Sequence, residues 1–166
     1  MTIFGDPFRF AVQFVPLPVV IGGPLPECHF TYRIGGRAVG NFHLDAPICE
    51  VEGDLLHILA DRGHRRCDAL FARDAAQIVR EVDQGMLDFV PGDHRWSAHK
   101  IDYYMGHGYP PGSGERWRVY LVEDGETGRI LFQEDVVPDL IHEMAVPAGL
   151  VDEVLTAAWR HIVDTA

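Results

Sequence analysis

Residues 8–15 read FRFAVQFV, with Phe8, Phe10, Val12 and Phe14 on one parity and Arg9, Ala11 and Gln13 on the other. A period of two predicts a strand buried on one face. The stretch that follows, PLPVVIGGPLPE (16–27), holds four prolines and two glycines. Such a stretch reads as a loop or an irregular edge, because proline cannot donate to a ladder. CHFTYRI (28–34) and RAVGNFHL (37–44) flank Gly35-Gly36. The pair supplies the positive φ of a tight turn and predicts a hairpin.

The period then changes. Val51, Leu55, Ile58 and Leu59 recur at helical spacing, with Glu50 and Glu52 early, where the helix dipole favours acids. DRGHRR (61–66) breaks this helix at Gly63, and Phe71, Ala75, Ile78, Val79 and Val82 form a second apolar stripe ending near Gly85. Both predict amphipathic helices with one face to bury. Residues 98–105 read as a strand with His99, Ile101, Tyr103 and Met105 on one face. RWRVYLVE (116–123), DGETG (124–128) and RILFQED (129–135) make the clearest hairpin in the chain. A last helix is predicted to open at Pro147 and to bury Leu150, Val151, Val154, Leu155, Trp159 and Ile162.

Strands joined by short turns, with helices in two separate blocks, predict an α+β fold. We expect one domain over residues 1–166, with a mainly antiparallel sheet of about five to seven strands and about three helices packed on it.

Composition narrows the function. An apolar fraction of 47% suits an ordinary globular chain. No apolar run approaches the roughly 20 residues of a membrane span, and the N-terminus lacks a signal-peptide pattern. Cys28, Cys49 and Cys67, odd in number and irregular in spacing, then read as reduced thiols in the cytoplasm. The net charge is -11, which argues against direct nucleic-acid binding. Residues 120–166 hold ten acids and two bases. Such an acidic segment suits either a solvated face or a basic partner.

Motifs for chemistry fail on spacing. RIGGRAVG (33–40) lacks the GxGxxG pattern and lies in a hairpin, not before a helix. HEMAV (142–146) begins like a zinc-binding HExxH helix but has Val146 where the second histidine is needed. The serines, Ser97 and Ser113, sit in no nucleophile elbow. Cys49, His57, His64 and Cys67 provide one tight pair where structural zinc sites use two. His94, His99 and His107 lie five and eight residues apart, and strand alternation sets His99 against Asp102. We therefore expect no cofactor, no metal and no catalytic residue, with a small His-dependent hydrolase or metal-binding enzyme as one alternative reading and a general adaptor as another. The aromatics Trp96, Tyr104 and Tyr109, set among glycine, proline and polar residues, are candidates for recognition.

FGDPFRFAVQF, YRIGGRAVG, RWRVYLVEDGETGRILF and VPAGLVDEVLTAAWRHI resemble, in the same order, patches of immunity proteins from bacterial polymorphic-toxin and contact-dependent inhibition systems. The patches look fold-forming rather than catalytic. Residues 16–27 and 93–114 match no family pattern. The resemblance implies a cytoplasmic protein that binds and blocks the toxin domain of its own system, such as a nuclease with a basic groove, and that contacts neither membrane nor nucleic acid. On that reading the candidate contact residues are Glu123, Asp124, Glu126, Glu134 and Asp135, together with Trp96, Tyr104 and Tyr109.

Overall fold

A computed structural model describes residues 1–19, 25–40, 42–43, 45–87, 104–107, 117–134, 137 and 139–165. Its architecture is α+β, with all strand pairing within the two sheets antiparallel. The first sheet carries β1 (Thr2–Asp6), β2 (Phe10–Pro16), β3 (Glu27–Ile34) and β4 (Arg37–Val39) in that order, with β5 (Asp45–Pro47) also beside β3. Gly35 and Gly36 turn β3 into β4 with φ of 58° and 80°, the positive values the Gly-Gly pair predicted. The return strand is shorter than RAVGNFHL suggested. It leaves the sheet after Val39, and the free half of β3 pairs with β5 instead.

The predicted first strand is displaced. Phe8 lies in a turn at 78% exposure, and β2 begins at Phe10. The turn exists because β1, which no clean alternation announced, pairs with β2 from Thr2↔Phe14 to Asp6↔Phe10. The Asp6 carboxylate accepts the Phe8 N–H at 2.9 Å and closes that turn.

The second sheet runs β6 (Tyr104–His107), β7 (Trp117–Glu123), β8 (Thr127–Glu134) and β9 (His142–Pro147). HEMAVP is thus an edge strand, and Pro147 ends it rather than opening the last helix. Four helices complete the described residues: α1 (Ile48–Ala60), α2 (Asp68–Phe71), α3 (Ala75–Leu87) and α4 (Leu150–Thr165). The second predicted stripe is therefore two helices, and Gly85 lies inside α3 instead of ending it.

Phe10, Val12 and Phe14 of β2, Leu55 of α1, Leu121 and Ile130 of the second sheet, and Val151, Leu155 and Ile162 of α4 share one core. The opposite face of the second sheet, through Tyr120, Val122 and Leu131, packs against Leu70, Ile78, Val79 and Val82 of α2 and α3. The β7–β8 hairpin is therefore covered on both faces, and its tip extends beyond this packing.

Candidate partner-binding surface

The β7–β8 tip is tied to other elements through Glu123 and Glu126 and closed on itself by Asp124. The Glu123 N–H donates to the Arg65 carbonyl and the Cys67 N–H donates to the Glu123 carbonyl, both at 2.9 Å. Arg66 thus runs as a short parallel bridge beside Glu123. The Glu123 side chain is only 8% exposed, and its Oε1 accepts the Gly149 N–H at 2.7 Å. Gly149 opens α4, since its carbonyl accepts the Glu153 N–H. A carboxylate there meets the positive end of the helix dipole.

Asp124 shapes the turn. Its Oδ1 accepts the N–H groups of Glu126 and Thr127 at 2.9 and 2.8 Å. Those two backbone hydrogen bonds, Thr127's first, hold the carboxyl below the usual carboxylate range. Gly125 follows with φ of 107°, in the left-handed region. The Glu126 side chain is exposed, while its carbonyl accepts the Ala148 N–H at 2.9 Å.

Deeper support comes from Arg65. It is fully buried, its Nη1 donates to Asp152 of α4 at 2.5 Å, and its Nη2 donates to the Ile58 carbonyl at the end of α1. Arg129 of β8 makes a second anchor. It forms a two-pronged pair with Glu143 of β9, at 2.6 and 3.0 Å, and donates to the Phe71 carbonyl at the end of α2 and to the Arg73 carbonyl just after it. The Arg129 guanidinium also lies 5.4 Å from the centre of the Phe71 ring. On α3, Asp83 accepts both Arg118 Nη1 and the Tyr120 hydroxyl at 2.8 Å. Burial first, and the Asp83 hydrogen bond second, push the Tyr120 hydroxyl pKa upward.

The structure brings some of the predicted contact residues together and separates others. Asp124 and Glu126 share the tip, with Glu123 directly beneath. Glu134 lies opposite Trp117 at the far end of the hairpin, roughly 20 Å away at about 3.3 Å per strand residue. Tyr104 takes a backbone position in β6 opposite Tyr120. Trp96, Tyr109 and Asp135 lie outside the described residues, as do His94 and His99. The sequence reading gave no role to Arg65, Arg129, Asp83 or Glu143, although all four brace this surface.

Among the described residues, no three His, Cys, Asp or Glu side chains converge to hold a metal ion. His29 and Asp45 pair at 2.9 Å on neighbouring strands β3 and β5. The Cys28 thiol is pushed up to about 12 by burial, with Glu27 adding to the shift. A thiol so shifted is protonated at neutral pH and is a poor nucleophile.

With this geometry in place, the comparisons with known proteins decide the family. The family described as Immunity protein 42 matches residues 1–161. The chain belongs to that family. A crystal structure of CdiI from Burkholderia dolosa AUO158 shares the fold of this immunity protein with a TM-score of 0.69, at 14% identity, over 99% of this chain and 100% of that one. No curated protein sequence matches this immunity protein. The β7–β8 hairpin, whose sequence carried part of the family resemblance, is a scaffold element of the fold and carries Glu123, Asp124 and Glu126 at its turn.

Proposed function

We propose that this immunity protein neutralises the toxin domain of its own system by direct binding, and that the acidic β7–β8 tip is a principal contact. The observation that carries this reading is the preorganised tip itself. Asp124 and Glu126 project on a turn that is fixed from below by Glu123 at Gly149 and from the side by Ala148 at Glu126. A fixed acidic projection loses little conformational freedom on binding and steers a basic partner by long-range attraction.

In this reading Glu123 holds the tip, and Asp124 and Glu126 meet the toxin. Glu134 is a second acidic contact at the other end of the hairpin, Asp135 adds to the acidic set, and Trp96, Tyr104 and Tyr109 supply aromatic contact. A basic substrate groove, such as a nuclease needs, is the toxin surface that complements such charge. The protein acts in the cytoplasm as one domain, by occupying a surface rather than by catalysis. It contacts no nucleic acid or membrane and needs no cofactor. No helix among the described residues is long and apolar enough to cross a membrane.

Co-expression tests this function. Cells producing the toxin domain encoded beside this protein should grow when the protein is present and stop when it is absent. Continued growth arrest at equal expression would contradict the proposal.

A further inference from the structure

An open hollow of about 580 Å³ lies between α2 and the hairpin tip, lined by Arg66, Asp68, Phe71, Asp124, Gly125 and Glu126. Its volume is many times the roughly 30 Å³ share of a water molecule, so a whole side chain fits. Three features of its wall act together. Phe71 gives a half-buried aromatic surface. Asp68, Asp124 and Glu126 give three carboxylates against the single cation Arg66. The Arg66 guanidinium itself lies in the hollow, against Gly125, where a Cβ would stand 2.9 Å from its carbon. Arg66 is held there by one loose ion pair, to Asp68 at 3.5 Å, and its side chain is 64% exposed.

We infer that the hollow is a docking pocket for one lysine or arginine side chain of the toxin domain, with the apolar stem on Phe71 and the head among Asp68, Asp124 and Glu126. The inference rests on the toxin-binding function proposed above and names the chemistry of the contact. Charge complementarity selects the occupant. With Arg66 in place the wall keeps an excess of two carboxylates, and an exposed cation held by one loose ion pair leaves room for a better-placed one. An acidic side chain would meet like charge there, and a purely apolar one would take hydration from the carboxylates without replacing it. Gly125 sits at a positive φ on this wall, so any larger residue there is strained.

The test is titration of the full-length protein against the toxin domain encoded beside it, with four single variants and one double variant. Asp68→Lys and Glu126→Lys should each weaken binding about ten-fold, and together about a hundred-fold. Phe71→Leu, which keeps the apolar packing but removes the ring, should weaken it several-fold. Arg66→Ala, which removes the competing cation, should leave affinity unchanged or raise it. Because Asp68 and Glu126 are exposed, the melting temperatures of the two Lys variants serve as fold controls. Wild-type affinity in both Lys variants would overturn the pocket while leaving toxin binding intact. A loss of affinity in Arg66→Ala would also overturn it, by making Arg66 the partner's contact. Absence of any wild-type complex would overturn the binding function and the pocket with it.

Discussion

Arg65 and Asp152 stand 87 residues apart in sequence and form a buried ion pair at 2.5 Å, with side-chain exposures of 1% and 4%. The pair ties the loop after α1 to α4, and the Arg65 carbonyl accepts from the base of the acidic hairpin. Removing one partner leaves an uncompensated buried charge. Arg65→Met alone should cost roughly 3–5 kcal/mol, and Arg65→Met with Asp152→Leu considerably less. Urea unfolding of the two single variants and the double variant checks this. Additive losses would show that the two side chains do not interact.

Asp83 couples α3 to the second sheet through Tyr120 and Arg118. Tyr120→Phe removes the hydroxyl donor and should destabilise the fold by roughly 1.5–3 kcal/mol, the range for a hydrogen bond to a charged group. Thermal unfolding measures the loss. A melting temperature equal to the wild type's would show that the hydroxyl contributes nothing.

His142 bridges the two sheets by receiving Arg37 Nη1 at 3.1 Å. Burial first, and Arg37 second, lower its pKa from the ordinary 6.5. The unfolded chain therefore takes up this proton before the folded one does. The contribution of His142 is complete above about pH 6.5. It declines as pH falls from there to the folded pKa and is constant below that. His142→Gln keeps an acceptor for Arg37 but does not titrate. Between pH 7 and pH 5 the wild type should lose more stability than this variant, and parallel curves would contradict the assignment.

Much of the fold was legible because its strongest patterns are local. The β3–β4 turn announced itself in Gly35-Gly36, and the β7–β8 hairpin in strict alternation around DGETG. The edge strands were harder. β1 is short, half exposed and interrupted by Gly5 at a φ of 90°. β9 hid behind Pro147, which suits a strand's last residue as well as a helix's first turn. The break before α3 carries its own sequence signal. Asp74 Oδ1 accepts the Gln77 N–H while Gln77 Oε1 accepts the Asp74 N–H, a reciprocal cap written in sequence as D-x-x-Q.

The candidate surface was legible in charge but not in geometry. Glu123, Asp124 and Glu126 look alike in sequence. The fold gives them different tasks, because Glu123 turns inward to Gly149 while Glu126 points to solvent. Such differences depend on α4 and the loop at Arg65, which return to the hairpin from distant parts of the chain. No local pattern records that meeting.

On the function proposed above, this acidic protein binds a toxin domain directly and through charge. Titration calorimetry of the two purified proteins at increasing salt tests it most directly. We predict a one-to-one complex whose affinity falls steadily as salt rises, with a shallower fall once Asp124 and Glu126 are neutralised. No complex at low salt, or an affinity indifferent to salt, would contradict the claim.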